Sequence, residues 1–157
     1  MEHLEIERKF LVTSDAYRQE ASSSVRIAQG FLSTDPQRTV RVRIMGSQGF
    51  LTVKGASNAS GTSRFEWETE ISPAEATNLI DLCKDVILEK VRYTVPLGNH
   101  VFEVDEFLGE NKGLVVAEVE LQHEDEFFER PSWLGEEVTG QKEYYNSQLS
   151  QTPFAQW

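Results

Sequence analysis

The sequence predicts a mainly β fold: eight short strands in an antiparallel sheet closed, or nearly closed, on itself, with a few flanking helices. Three observations predict it. Segments of strict apolar and polar alternation recur along the whole chain, most connections between them are short and carry turn residues, and only one segment has a full helix signature.

The first strand is the clearest. In "LEIERKFLV" (4–12), Leu4, Ile6, Phe10 and Val12 fall on one parity and Glu5, Glu7 and Lys9 on the other. "VRIAQGFL" (25–32) and "RTVRVRIM" (38–45) flank the turn signal Asp35-Pro36, and "GSQG" (46–49) leads hairpin-like into "FLTVKG" (50–55). "GASNASGT" (55–62) is small and polar and is expected to be a mobile loop or a plain long hairpin connection. "RFEWETEI" (64–71), "VILEKVRYTV" (86–95), "HVFEVDEF" (100–107) and "LVVAEVEL" (114–121) complete the strands. Between the fifth and sixth, Ser72 as N-cap, Pro73 in the first turn and Glu75 as capping-box partner predict a helix over 73–83, with Leu79, Ile80 and Cys83 on its apolar stripe. "RPSWLGEE" (130–137) reads as a turn or short helical piece, and "QKEYYNSQLS" (141–150) as a second helix. No repeat or linker divides the chain, so 1–157 is read as one domain.

The 157 residues suffice for one proper core, and 39% hydrophobic with 26% charged is ordinary globular composition. A net charge of −11 argues against a nucleic-acid binder and suits a protein that holds divalent cations. One cysteine, Cys83, excludes an internal disulfide. The charged start lacks a secretory h-region and no stretch is long and apolar enough to span a membrane, so the expectation is a cytoplasmic protein with no membrane partner. The sequon Asn58-Ala59-Ser60 then carries no meaning. His3, His100 and His123 have no metal-ligand spacing. Trp133, Phe154 and Trp157 read as packing anchors of the C-terminal region.

A single amphipathic strand ordinarily turns its polar face to water. Two features argue otherwise here. The polar parities carry full charges rather than Thr, Ser and Gln, and the signs are segregated by strand. Arg41, Arg43, Lys54, Lys90 and Arg92 lie on the third, fourth and sixth strands; Glu5, Glu7, Glu103, Asp105, Glu118 and Glu120 lie on the first, seventh and eighth. A face built for solubility interleaves its charges. Segregated charge lining one closed face suits a strongly anionic ligand that travels with a metal: Arg and Lys clamp phosphate oxygens, and Glu-x-Glu pairs hold Mg²⁺ or Mn²⁺. The apolar parities then face outward, covered in part by helices such as 73–83.

On these residues the chain resembles the triphosphate tunnel metalloenzymes of the CYTH superfamily, in their small bacterial form. "EIERK" (5–9) looks like the family's E-x-E-x-K signature, "RVRI" its paired arginines, "TVKG" its tunnel lysine and "EKVRY" its K-x-R strand. "FEVDEFLGENKGLVVAEVEL" and "PSWLGEEVTG" followed by "YYN" resemble its later stretches. One departure is Phe31, where small bacterial members often carry Tyr in Q-G-Y-L. The resemblance implies an eight-stranded tunnel in which Lys9, Arg41, Arg43, Lys54, Lys90 and Arg92 bind phosphate and Glu5, Glu7, Asp105, Glu118 and Glu120 bind Mg²⁺ or Mn²⁺. It names Glu5, Glu7, Lys9, Asp105 and Glu120 as the catalytic set, with Glu68, Glu70 and Glu103 as helpers, and puts Lys142 and Asn146 near the tunnel mouth, Lys142 as a further substrate contact. The implied reaction is metal-dependent hydrolysis of inorganic tripolyphosphate, or another linear triphosphate such as a nucleoside triphosphate, to phosphate and pyrophosphate. The alternatives are a class IV-type adenylate cyclase, making cyclic AMP and pyrophosphate from ATP, and a non-catalytic polyphosphate-binding module. A flat outer sheet face would allow a homodimer.

Overall fold

Each amphipathic segment finds a neighbour on both edges, and the sheet closes. The computed structural model describes residues 3–157. Strands β1 (Leu4–Val12), β2 (Ser23–Ser33), β3 (Arg38–Met45), β4 (Gln48–Gly55), β5 (Ser63–Ile71), β6 (Lys84–Leu97), β7 (His100–Phe107) and β8 (Val115–Glu120) pair antiparallel in the order β5-β4-β3-β2-β6-β7-β8-β1. The ring is completed by three pairs between β1 and β5: Leu4 with Phe65, Glu5 with Arg64 and Ile6 with Ser63. Past Ile6 the two strands part, and the free edge of β1 is taken by a ninth short strand, β9 (Leu134–Glu137).

That ninth strand corrects the turn or helical piece expected at 130–137. Only four residues long, it has no room for a visible period, and Gly135 sits where a Cβ would lie 3.1 Å from the Leu11 carbonyl oxygen. A short helix, α1 (Tyr17–Glu20), was not signalled at all; it is four residues held by burial of Tyr17. The helix expected at 73–83 is present as α2 (Pro73–Ile80), with its capping box formed: Glu75 N donates to Ser72 Oγ and Ser72 N to Glu75 Oε1, each at 3.0 Å. It stops before Cys83, which lies in the following turn, half-buried, with Sγ 3.4 Å from the Leu79 carbonyl oxygen. Ala76 packs on the outside of β4 against Gly49, where an added Cβ would come within 2.8 Å of the Ala76 Cβ. The helix expected at 141–150 is a 3₁₀ turn (Lys142–Tyr144), an extended Tyr145 and a six-residue helix, α3 (Asn146–Gln151). The 55–62 loop is folded on itself: Asn58 Oδ1 accepts from Thr62 N and Ser63 N at 3.0 and 3.1 Å.

Two apolar clusters hold the barrel. Outside β1, β6, β7 and β8, Phe10, Phe102, Val104, Val119 and Phe128 pack with Tyr17 and the fully buried Trp133, which donates to Glu20 at 3.2 Å. The second cluster is Phe31, Leu88, Phe107, Leu114, Val116 and Leu149, with Leu11 against it. By register, Leu11, Leu88, Phe107 and Val116 share the parity of Lys9, Lys90, Asp105 and Glu118. The charged parity therefore runs only partway along the barrel and then becomes an apolar plug, capped by Leu149 of α3. Among the described residues no helix is long and apolar enough to cross a membrane.

Candidate active site

A cavity of about 210 Å³ occupies the charged part of the interior. Its lining includes Lys9, Arg41, Arg43, Lys54, Lys90 and Arg92, facing Glu5, Glu7, Glu103, Glu118 and Glu120. Cross-strand register is what gathers them: Glu7 lies opposite Glu120 and Lys9 opposite Glu118 between β1 and β8, and Glu103 opposite Glu118 between β7 and β8. Residues paired across strands project to the same side, so each strand adds its charges to one lumen.

The basic wall is built on β3, β4 and β6. Glu68 Oε2 accepts from Arg41 and Arg43 Nη2 at 3.4 and 3.3 Å and from Thr52 Oγ1 at 2.6 Å. Lys54 Nζ lies 3.1 Å from Glu5 and 3.2 Å from Glu66. The Nε groups of Arg41 and Arg43 are buried with no hydrogen-bond partner among the described residues. An unpaired buried guanidinium donor is unfavourable. Burial, reinforced by Arg41 and Arg92, pushes Arg43 down to about 10; burial, reinforced by Arg92 and opposed by Asp105, pushes Lys90 down to about 8. Burial therefore costs this wall more than it costs exposed cations, although each cation keeps a carboxylate partner.

Burial acts on the acidic wall with the opposite sign. Burial, then Glu118 and Glu5, push the Glu7 carboxyl well above the usual carboxylate range. Burial also opposes ionisation of Glu118, but Lys9, a hydrogen bond from Glu7, Arg92 and Lys90 outweigh it and hold Glu118 ionised. Of the two, Glu7 is the carboxyl that ionises less readily. Glu120 is raised by burial, Glu5 and Glu103. Among the described residues no three acidic, His or Cys side chains form a ready cage. The donor set still fits a hard divalent ion: crowded carboxylate oxygens that repel one another, with room for phosphate oxygens and water to complete the shell, as Mg²⁺ favours.

Three expected site residues lie outside the charged cavity. Asp105 is absent from the cavity lining and is 2% exposed. Its oxygens are taken by Arg92, at 2.8 and 3.0 Å, and by Lys90 at 2.8 Å. Burial works against its ionisation, yet Arg92 and Lys90 hold it down at about 2. Lys142 is exposed and lines an adjoining vestibule of about 310 Å³ that shares Thr39, Arg64, Tyr145 and Ser147 with the charged cavity, so it stands at the mouth rather than in the lumen. Glu70 is exposed and outside the charged cavity, whereas Glu68, Glu103 and Asn146 line it. Phe31 lines the cavity and also belongs to the plug.

Tyr145 and Thr52 were not singled out from sequence. Tyr145 stands at the seam where β1 leaves β5, with Lys9 Nζ 5.0 Å and the Arg64 guanidinium 5.6 Å from its ring centre. It lies in an aperiodic segment, so no parity could have placed it; Thr52 was legible as the same-parity neighbour of Lys54.

A closed antiparallel barrel whose lumen opposes a wall of buried cations to a wall of carboxylates defines a tunnel for a polyanion and its metal. The CYTH domain model matches residues 3–153, and the chain belongs to this family. The chain is 46% identical over 151 residues, 96% of its length and 95% of the relative's, to an inorganic triphosphatase of Acetivibrio thermocellus. It is 36% identical over 150 residues, 93% and 96% of the two chains, to an inorganic triphosphatase of Nitrosomonas europaea. A crystal structure of an inorganic triphosphatase superposes with a TM-score of 0.66 at 34% identity, covering 93% of each chain.

Proposed function

We propose that this protein is a divalent-metal-dependent inorganic triphosphatase, using Mg²⁺ or Mn²⁺ to hydrolyse tripolyphosphate to phosphate and pyrophosphate. The observation that carries the reading is one narrow cavity lined by Lys9, Arg41, Arg43, Lys54, Lys90 and Arg92 together with Glu5, Glu7, Glu118 and Glu120. The relatives named inorganic triphosphatase support it.

Phosphoryl transfer asks a protein for positioning and charge neutralisation more than for a covalent nucleophile. Arg41, Arg43, Lys54, Lys90 and Arg92 of the basic wall bind the phosphates, and Lys9 joins them from β1. Glu68, now bonded to both arginines, gives way to phosphate oxygens. Glu5, Glu7, Glu118 and Glu120 would hold the metal. When bound it supplies Lewis-acid neutralisation of phosphate charge and a more acidic water. Asp105 works from behind: its bonds to Arg92 and Lys90 aim both cations into the lumen, so we assign it a positioning role rather than a metal-binding one. The apolar plug closes the far end and keeps bulk water from it. We further propose that residues 1–157 act as one catalytic unit in the cytoplasm, in keeping with a lone cysteine.

The test is product analysis of the purified protein with Mg²⁺ or Mn²⁺, given tripolyphosphate or ATP in separate reactions. Phosphate and pyrophosphate from tripolyphosphate, with ATP little changed, is the expected result. Cyclic AMP from ATP would move the reaction to the cyclase class, and no product from either would overturn the enzyme reading.

A further inference from the structure

Asn146, the first residue of α3, brings the C-terminal segment to the wall of the charged cavity. Its Oδ1 accepts from Lys90 Nζ at 2.8 Å and from Gln29 Nε2 at 2.6 Å. An ammonium offers only donors, so the oxygen of the Asn146 amide must face Lys90. Gln29, fully buried, is then obliged to present its nitrogen to the same oxygen, which leaves its own Oε1 without a partner among the described residues. Turning the Gln29 amide over would set two oxygens against each other. The Asn146 orientation is thus fixed from two sides. Its Nδ2 has no protein partner among the described residues, and the side chain lines the cavity beside Lys90 and Arg92.

We propose that Asn146 is a substrate-contacting residue whose Nδ2 donates to a phosphate oxygen of the bound tripolyphosphate, with Lys90 and Gln29 holding its amide in register. The inference rests on the triphosphatase reading above. A neutral donor suits this position: burial and neighbouring cations already push Arg43 and Lys90 down, so a further charge would add to that crowding. The anchor is firm, because Leu149, three residues on, is fully buried in the plug and Ser150 Oγ donates to the Ser147 carbonyl at 2.7 Å.

Asn146→Asp separates contact from scaffolding. The carboxylate keeps an acceptor for Lys90 and Gln29 but replaces the outward donor with a charged acceptor. A carboxylate on this wall also repels a polyanion it does not touch, so a structural role predicts a rise in KM that fades at high ionic strength. A phosphate contact predicts a KM for tripolyphosphate, measured with Mg²⁺ on the full chain, about tenfold or more above wild type, at an unchanged melting temperature. The dissociation constant for tripolyphosphate in EDTA rises by a similar factor. A change of less than about threefold in both for the neutral variant Asn146→Ala, at either ionic strength, overturns the proposal. Wild-type protein that binds tripolyphosphate without hydrolysing it would overturn the reaction, while the ratio of dissociation constants still reads Asn146.

Discussion

The two walls of the tunnel are both charged, and they are charged in different ways. On the basic wall nearly every cation already has a protein carboxylate: Glu68 under Arg41 and Arg43, Glu5 and Glu66 under Lys54, Asp105 under Lys90 and Arg92. On the acidic wall burial and the mutual repulsion of Glu7 with Glu118 and Glu5, and of Glu120 with Glu5, Glu103 and Glu118, make Glu7 and Glu120 hard to ionise. The first wall is organised before substrate arrives. The second is satisfied only when a further cation joins it. Stability and function are therefore coupled with opposite sign on the two sides.

The largest expected effect comes from breaking the organised wall. Arg43→Ala or Lys9→Ala should lower kcat/KM for tripolyphosphate by about 10²-fold or more, as loss of a preorganised charged donor does elsewhere. The melting temperature should fall little, and activity within a few fold of wild type would contradict the clamp.

Breaking the plug acts on stability instead. Leu149 is fully buried in the apolar cluster, so Leu149→Ala should destabilise by about 2–5 kcal/mol in urea unfolding. An unchanged midpoint would mean that α3 does not seal the barrel.

Glu7→Gln probes the strained wall and should raise the melting temperature in EDTA by a few degrees, on the order of 1 kcal/mol. The same variant should lose most of the stabilisation that Mg²⁺ gives the wild type by binding the folded state. A lower melting temperature in EDTA would show Glu7 to be content as it stands.

The smallest effect is with pH. The folded-state pKa of Glu7 is raised, so the stability it contributes is present below its ordinary pKa and is lost as pH rises through the raised value. Asp105 is the reverse: lowered to about 2, its contribution is present above its ordinary pKa of 3.8 and lost as pH falls through that range. Metal-free protein should accordingly soften as pH rises above the ordinary carboxylate range, and a Glu7→Gln variant should lack that slope in a thermal-melt series.

Much of this was legible in the sequence. Period-2 alternation located all eight barrel strands, because a strand with one wet and one dry face cannot hide its parity. Sign segregation located the walls, since register alone then brings them face to face. What escaped lies where parity carries no information. β9 and α1 are four residues each, too short for a period. Leu11, Leu88, Phe107 and Val116 continue the charged parity as apolar residues, and only the three-dimensional stagger of the strands shows them gathered into a plug. Asp105 shares its strand face with Glu103, so the strand pattern could not distinguish a carboxylate open to the lumen from one buried beneath Arg92. Tyr145 and Asn146 enter the site through a segment with no regular period.

The measurement that tests the difference between the walls most directly is calorimetric titration of tripolyphosphate into the metal-free protein in EDTA, with phosphate release followed in the same samples. The account predicts saturable binding, lost in Arg43→Ala and kept in Glu118→Gln, and no phosphate until Mg²⁺ or Mn²⁺ is restored. Absence of binding without metal, or phosphate release in EDTA, would contradict it.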